Sequence, residues 1–201
     1  MSKPLAALTF DDGPSEYTPR ILDTLARYGA KASFFVVGLR AEAIQSTVKR
    51  TFDEGHEVIV HAWGHPNLTT LSADAVKREL QETEKHVKAI IGTCPNFYRP
   101  PYGKVNDTVK QVSAELGYAI INWTVEPFDW ECQNAELIHE RIMADMHDGA
   151  IILVHDLYDA TAAAMERTIP ALMKEYELVT VSELFSRRGI TLTPGEVYTQ
   201  G

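Results

Sequence analysis

A stretch at positions 5–14, LAALTFDDGP, decides the fold. Its apolar beginning, Leu5 to Phe10, predicts a β-strand. Two carboxylates, Asp11 and Asp12, follow directly, and Gly13 and Pro14 then turn the chain. An apolar strand that ends on charged residues is typical of a parallel sheet whose active site lies at the carboxyl ends of the strands. The same arrangement recurs further along the chain.

Short apolar runs alternate with longer amphipathic runs over most of the sequence. The predicted strands are residues 5–10, 32–37, 57–60, 97–99, 119–125, 150–154 and 178–181. The predicted helices are residues 19–28, 41–54, 73–91, 107–116, 135–147, about 161–176 with a kink near Pro170, and 183–187. About seven strand–helix units predict an α/β fold with a parallel sheet covered by helices. This number favours a closed barrel, and an open doubly wound sheet is the alternative.

Length and composition limit the classes of function. The 201 residues suit one domain, residues 1–201. Lys and Arg number 19 against 28 Asp and Glu, which gives a net charge of −9. Such a surface argues against a nucleic-acid or an anionic membrane partner, whereas a neutral partner such as a sugar is allowed. No apolar run reaches the roughly 18 residues of a membrane span.

The beginning of the sequence and its cysteines leave two points open. The first residues lack the apolar stretch of a signal peptide, so the protein is either cytoplasmic or has lost a leader. Cys94 and Cys132 are too far apart in sequence for a CxxC metal pair, and their pairing as a disulfide is undecided.

Polar residues cluster where predicted strands end. Besides the aspartate pair, they are His61 and His65, Arg99, Asp129, and His155. Because the carboxyl ends of parallel strands lie on one face of a barrel, we expect these side chains to meet in one pocket. Adjacent strand residues point to opposite sides, so Asp11 and Asp12 are expected to play two different roles.

Each of these features also has an ordinary structural interpretation. Asp-Asp-Gly-Pro is good turn chemistry. His61 and His65 suit a loop, because Pro66 disfavours a helix there, and two histidines with one carboxylate make a catalytic zinc set that leaves a position for water. His155 is either a histidine bonded to backbone at a strand end or a general acid that titrates near neutrality.

Two further segments allow a similar choice. Arg99-Pro100-Pro101-Tyr102 is a stiff loop that either only connects elements or places Arg99 and the Tyr102 backbone N–H beside the pocket. Asp129 and Trp130 are either a capping pair before the next helix or part of the pocket. In the second case Asp129 orients an imidazole and Trp130 supplies an apolar wall.

Together these segments resemble the polysaccharide deacetylases, the NodB-homology domain of carbohydrate esterase family 4. The resemblance extends from Leu5 to about Leu184. It is carried by five motifs in order, Thr9-Phe10-Asp11-Asp12-Gly13-Pro14, His61-Ala62-Trp63-Gly64-His65, Arg99-Pro100-Pro101-Tyr102, Asp129-Trp130 and Leu153-Val154-His155.

The resemblance implies a fold and a set of roles. The fold is a distorted (β/α)7 barrel. Asp12, His61 and His65 would hold a divalent metal, for which zinc is expected and cobalt or nickel are substitutes. The remaining roles are those of Asp11 as catalytic base, His155 as acid, Arg99 as tether of Asp11, Asp129 as partner of His155, the Tyr102 N–H as oxyanion donor, and Trp130 and Leu153 as walls for the acetyl methyl group.

The resemblance also implies a substrate class, an acetylated glycan. The expected reaction removes acetyl groups from N-acetylglucosamine units of chitin oligosaccharides or peptidoglycan. An acetylxylan esterase is the alternative, and an inactive glycan-binding barrel is a third. Family members usually act outside the cytoplasm, so an extracellular or cell-surface location is expected. The oligomeric state is open, with a monomer expected. Two positions depart from the usual pattern of the family: Ala62 stands where Ser or Thr is commoner, and Glu126 stands where Asp is frequent. Both departures affect loop geometry and substrate choice rather than the reaction.

Overall fold

One curled sheet of parallel strands forms the centre of the molecule in a computed structural model that describes residues 3–201. Its strands are β1 Leu5–Asp11, β2 Ser33–Val36, β3 Glu57–Val60, β4 Phe97–Tyr98, β5 Ala119–Ile121, β6 Ala150–His155, β7 Glu177–Val179 and β8 Val197–Tyr198. The helices are α1 Thr18–Tyr28, α2 Gly38–Ala43, α3 Gln45–Asp53, α4 Ala73–Ile91, α5 Asp107–Leu116, α6 Asp129–Cys132, α7 Ala135–Asp145, α8 Asp159–Glu175 and α9 Val181–Arg187.

Strand β1 is the centre of the sheet. It pairs with β6 over almost its whole length, and the register sets Asp11 beside His155. On its other edge, the first half of β1 pairs with β7 and the second half pairs with β2. Because all these pairings are parallel, the polar ends of the strands emerge on the same face.

The sheet curls until its two ends meet. The path runs β6-β1-β2-β3-β4-β5-β8, and Val125, which follows β5, forms a bridge with Ile152 of β6. The backbone N–H of Leu153 donates to the Val125 carbonyl at 2.8 Å. The α/β fold is therefore confirmed as a distorted barrel rather than an open doubly wound sheet. Strand β8 was not predicted, because two residues carry no periodic pattern.

Alternate residues of β1 face two different interiors. Ala6, Leu8 and Phe10 pack in the layer between sheet and helices, whereas Leu5 and Ala7 pack inside the barrel. Further along the inner face, the apolar residues give way to Thr9 and Asp11, which are also buried. The change from apolar to polar along one strand face positions the functional site at the carboxyl end of the barrel.

Most predicted elements are present, and the differences have local causes. The predicted helix 41–54 is two helices, separated at Ile44, whose φ of −127° and ψ of 53° are not helical. Helix α8 runs through Pro170. Both cysteines are free thiols: Cys94 is buried and Cys132 is partly exposed at the end of α6. Within residues 3–201, no helix is long and apolar enough to span a membrane.

Candidate active site

A cavity of about 440 Å³ opens at the carboxyl ends of the strands. Its lining contains most of the predicted site residues, namely Asp11, Asp12, His61, His65, Tyr102, Trp130, Leu153 and His155, together with Trp123, Glu126 and Tyr158. Both aspartates of the pair line it. Strand alternation predicts that they point apart, but Asp12 lies beyond the regular strand with a φ of 73°, which redirects its side chain.

Three side chains on one wall of the cavity form a cluster suited to a metal ion. One ligand atom from each of Asp12, His61 and His65 lies within 4.8 Å of the other two. The Asp12 Oδ1 atom is 3.2 Å from His61 Nε2 and 3.0 Å from His65 Nε2. This cluster is the combination of two imidazoles and one carboxylate that catalytic zinc sites use.

Hydrogen bonding around His61 supports a cation in this cluster. The Nδ1 atom of His61 lies 2.7 Å from the Arg99 carbonyl oxygen, which only accepts, so Nδ1 carries the proton. In the neutral ring the Nε2 lone pair then faces Asp12. The buried Oδ1 atom of Asp12 accepts no hydrogen bond from any residue in the described chain. Lone pairs in such proximity need a positive charge between them, so the residues present fit a divalent metal.

The charges in this cluster also shift its pKa values. Burial raises the pKa of Asp12, but the two imidazoles outweigh burial and hold the pKa well below its usual range. Burial lowers the pKa of His61, but the charges of Asp11 and Asp12 outweigh burial, so the pKa lies above its ordinary value. The surroundings thus favour the Asp12 carboxylate with a positive charge beside it, which a divalent metal would supply in place of the second proton on His61.

The histidine loop is held in an unusual backbone conformation. Ala62 and His65 have φ values of 75° and 60°, which cost roughly 1–3 kcal/mol each in residues other than glycine. The backbone N–H groups of Trp63 and Gly64 donate to one Glu79 oxygen at 2.9 and 2.8 Å. Glu79 of α4 therefore anchors the loop that carries Ala62 in place of the more usual Ser or Thr.

Arg99 fixes the other aspartate of the pair. This fully buried guanidinium donates to Asp11 Oδ1 at 2.6 Å and to Thr9 Oγ1 at 2.8 Å. It also donates to the carbonyls of Ile121 and Asn122 at 3.0 and 3.1 Å. With five N–H donors in a planar fork, arginine can satisfy all these acceptors at once, so the Asp11 side chain is held in one position.

His155 and Asp129 form a second polar pair across the cavity. The Oδ1 atom of Asp129 lies 2.8 Å from His155 Nδ1, and its Oδ2 atom accepts from the His155 backbone N–H and from Thr161 Oγ1. Burial would lower the His155 pKa, but the hydrogen bond and charge of Asp129 raise it to about 9. The Nε2 side of the ring is thereby left for the cavity, with the imidazole protonated at neutral pH.

Aromatic residues surround the entrance of the cavity. Tyr102 is 60% exposed and Trp130 is 46% exposed. The indole N–H groups of Trp123 and Trp130 donate to the two oxygens of Glu126, at 2.9 and 3.5 Å. We call Tyr102, Trp123, Trp130 and Tyr158 the rim. We call Asp11, His61, Arg99 and Asp129, the buried polar residues beneath it, the floor.

Sequence reasoning missed some residues at this site. Trp123 and Tyr158 line the cavity without having been predicted, and Thr161 supports Asp129. Their positions just beyond β5 and β6 are the signal that was available, since residues that follow barrel strands reach the active-site face.

Comparison with known proteins agrees with this architecture. Residues 1–121 match the family model described as polysaccharide deacetylase. The chain belongs to the polysaccharide deacetylase family. A peptidoglycan-N-acetylglucosamine deacetylase, PgdA of Listeria monocytogenes, is 44% identical to this family member over 184 residues, or 90% of this chain and 39% of PgdA. The chain thus spans well under half the length of that relative.

Two further relatives match over most of both chains. A chitooligosaccharide deacetylase of Sinorhizobium fredii is 35% identical over 187 residues, 84% of this polysaccharide deacetylase family member and 86% of the relative. A family 4 acetyl xylan esterase from Clostridium thermocellum, solved in complex with a cobalt ion, has a TM-score of 0.91, 32% identity and 98% coverage of each chain.

Proposed function

We propose that this chain is a metal-dependent hydrolase that removes acetyl groups from N-acetylglucosamine units of chitin oligosaccharides or peptidoglycan. The observation that carries the proposal is one cavity with three parts: the Asp12–His61–His65 cluster, the Arg99-bound Asp11, and the Asp129-bound His155. Hydrolysis of an amide needs a base, an acid and a means of stabilising negative charge, and these groups can supply all three.

Asp12, His61 and His65 are assigned as ligands of the divalent metal, with zinc as the expected ion because the set is nitrogen, nitrogen and oxygen. When bound, zinc supplies Lewis acidity, which polarises a carbonyl group and lowers the pKa of water. The hydrogen bond from His61 Nδ1 to the Arg99 carbonyl oxygen keeps the ring oriented with Nε2 toward Asp12, so that both could hold the metal. The cobalt in the related esterase supports a divalent metal in this chain as well.

Asp11 is assigned as the base. Its Oδ1 atom is occupied by Arg99, and its Oδ2 atom remains on the cavity side, 3.6 Å from His61 Nε2. The free oxygen accepts a proton from the water that attacks the acetyl carbon. Arg99 holds the carboxylate in position and compensates its charge, so Asp11 is ready to take the proton without rearrangement.

His155 is assigned as the acid. The Nδ1–H group is held by Asp129, so the proton on Nε2 is available to the departing nitrogen. An amide nitrogen leaves as a neutral amine only after it is protonated, and a pKa of about 9 keeps His155 loaded at neutral pH. Asp129 thus acts through His155 by fixing its orientation and its charge.

The rim and one strand residue are assigned to substrate binding. Trp130 and Leu153 line the cavity with apolar surface suited to the acetyl methyl group. The backbone N–H of Tyr102 is assigned as the oxyanion donor, because the left-handed backbone at this residue, with a φ of 62°, turns the chain at the cavity edge.

Acetylxylan esterase activity is the second candidate, favoured by the structural similarity to a family 4 acetyl xylan esterase. An ester leaves as an alcohol and depends less on prior protonation than an amide does. The protonated His155 therefore favours the amide reaction.

We further propose that the enzyme acts as a monomer at the cell surface or outside the cell. The support for the location is the naming of a relative as a peptidoglycan deacetylase. An acetylated glycan is then the partner that the cavity accepts.

The test is acetate release from chitopentaose, peptidoglycan and acetylated xylan by protein stripped with a chelator and then restored with zinc. We expect release from chitopentaose or peptidoglycan by the restored protein only. Release from acetylated xylan alone would replace the amide substrate with an ester. Binding of oligosaccharide with neither zinc uptake nor acetate release would instead identify an inactive glycan-binding barrel.

A further inference from the structure

We propose that Asp156 is a positioning residue that locks the turn after Asp11 and Asp12 against the end of the strand that carries His155. This inference rests on the proposed function, since it concerns how the base, the metal ligands and the acid are held together. Asp156 lies outside the assigned machinery, directly after His155, and its side chain is directed away from the cavity lining.

Hydrogen bonds connect Asp156 to the turn at residues 15–18. Its Oδ2 atom accepts from Thr18 Oγ1 at 2.5 Å, and Thr18 Oγ1 in turn accepts from the Ser15 backbone N–H at 2.8 Å. The Ser15 hydroxyl donates to the Asp156 backbone carbonyl. Both the side chain and the main chain of Asp156 are therefore tied to the segment that leads from β1 into α1.

The carboxyl group of Asp156 also fills the space beside Gly13. A Cβ atom added at Gly13 would lie 2.1 Å from Asp156 Oδ2 and 2.3 Å from Asp156 Oδ1, and the three nearest atoms all belong to this one side chain. Cβ atoms essentially never lie so close to another atom, so a side chain at position 13 would force the Asp156 carboxyl group to move. This complementarity joins the residue after Asp12 to the residue after His155.

The other side of the same turn is held by the sheet. The backbone N–H of Asp12 donates to the Phe35 carbonyl at 3.1 Å, and the N–H of Val37 donates to the Gly13 carbonyl at 3.0 Å. Strand β2 thus holds one side of the turn and Asp156 holds the other. Without Asp156, the turn would have the sheet contacts alone, and the orientation of Asp12 relative to His155 would relax.

The burial of the Asp156 carboxyl group has a cost in stability. Asp156 is 1% exposed, and its Oδ1 atom accepts no hydrogen bond from the residues that the structure describes. Burial and the charge of Asp12 raise its pKa to about 7. A carboxyl group with an unpaired oxygen in such surroundings carries a desolvation cost, which a role in positioning the two catalytic segments accounts for.

Asp156→Ala and Asp156→Asn test this role, with Asp159→Asn as the control. Asp159 also lies near β6 but is exposed and pairs with Arg20 at the surface. We expect Asp156→Ala to weaken zinc affinity and lower kcat by about 10–100-fold each, with KM changed less. Asp156→Asn should recover most of both, because an amide oxygen still accepts from Thr18. Zinc affinity is measured on metal-free protein by competition with a chromogenic chelator.

A double-mutant cycle with Gly13→Ala tests the contact itself. Gly13→Ala alone should weaken zinc affinity strongly, because its methyl group collides with the Asp156 carboxyl. In the Asp156→Ala background the same substitution should reduce zinc affinity by a factor at least about tenfold smaller, since the colliding atoms are gone. Additive effects of the two substitutions would overturn the proposed contact.

The outcomes separate this inference from the proposed function. Lower melting temperatures of the Asp156 variants with unchanged zinc affinity and kcat would show a purely structural residue and overturn the positioning role. Equal losses in Asp159→Asn would also overturn it. A wild-type protein that binds no zinc would overturn the proposed function and this inference together, whereas wild-type zinc binding with insensitive variants overturns only the inference.

Discussion

The floor and the rim of the cavity are built on different principles. The floor residues are nearly inaccessible to solvent, and each is hydrogen-bonded to a fixed partner, such as Arg99 to Asp11 and Asp129 to His155. The rim residues Tyr102 and Trp130 are about half exposed. Buried polar pairs hold one geometry, because breaking one leaves an unpaired charge that costs about 3–5 kcal/mol, whereas exposed aromatics adapt to what they bind.

This difference indicates that the floor carries out the reaction and that the rim recognises the substrate. Substitutions in the floor should change kcat, metal affinity and pH dependence. Substitutions in the rim should change KM and the choice of substrate. A floor variant that changes only KM, or a rim variant that changes mainly kcat, would contradict this assignment.

The largest effect is expected within the aspartate pair. Asp11→Asn should lower kcat by at least about 1,000-fold, because an amide cannot accept the proton, while zinc affinity stays within roughly threefold. Asp12→Asn should weaken zinc binding itself. Acetate release and chelator competition measure the two effects. Equal loss of metal in both variants would remove the distinction between base and ligand.

The next effect concerns the partner of His155. Asp129→Asn should lower kcat by about 100-fold, since the ring loses the carboxylate that stabilises its charged form. The acid must be protonated to act, so activity is lost as pH rises through the His155 pKa of about 9. Without the Asp129 charge that pKa falls, and the alkaline limb of the kcat/KM profile should move to lower pH. An unmoved limb would assign the acid to another group.

The same pair should be visible in stability. The pKa of His155 is raised to about 9 from an ordinary 6.5, so the folded state is favoured wherever the ring is protonated. This contribution, on the order of 3 kcal/mol, is complete below pH 6.5 and is lost as pH rises through 9. Urea unfolding of wild type and His155→Gln at several pH values measures it as the difference between the two proteins. A difference that is constant with pH would contradict the raised pKa.

The smallest effect is expected at the rim. Trp130→Ala should raise KM for a glycan by roughly tenfold, with kcat within about threefold, because half-exposed aromatic surface contributes to binding more than to the reaction. Glu126→Gln is the matched control, since an amide oxygen still accepts from the Trp123 indole. Steady-state kinetics with chitopentaose measures both. A large fall in kcat for Trp130→Ala would show that this residue contributes to the reaction itself and not only to binding.

The sequence was sufficient to predict the sheet, most helices and the gathering of polar residues, because hydrophobic periodicity and strand ends depend on local pattern. It was not sufficient to predict the direction of the Asp12 side chain. Asp12 lies in the same cavity as Asp11 because a left-handed backbone overrides strand alternation. Nor could the sequence reveal the fit of Gly13 to Asp156, a contact between segments far apart in the chain. Strand β8 depends on its pairing with β5, and the break at Ile44 leaves no mark on the hydrophobic periodicity.

The two free thiols differ in a way that is useful for experiments. Cys94 is buried and its pKa is raised to about 12 by burial, so it remains a protonated, unreactive thiol. Cys132 is partly accessible at the end of the short helix that begins with Asp129 and Trp130. A maleimide fluorophore should therefore label Cys132 selectively and report, from beside the entrance, when a glycan arrives and leaves.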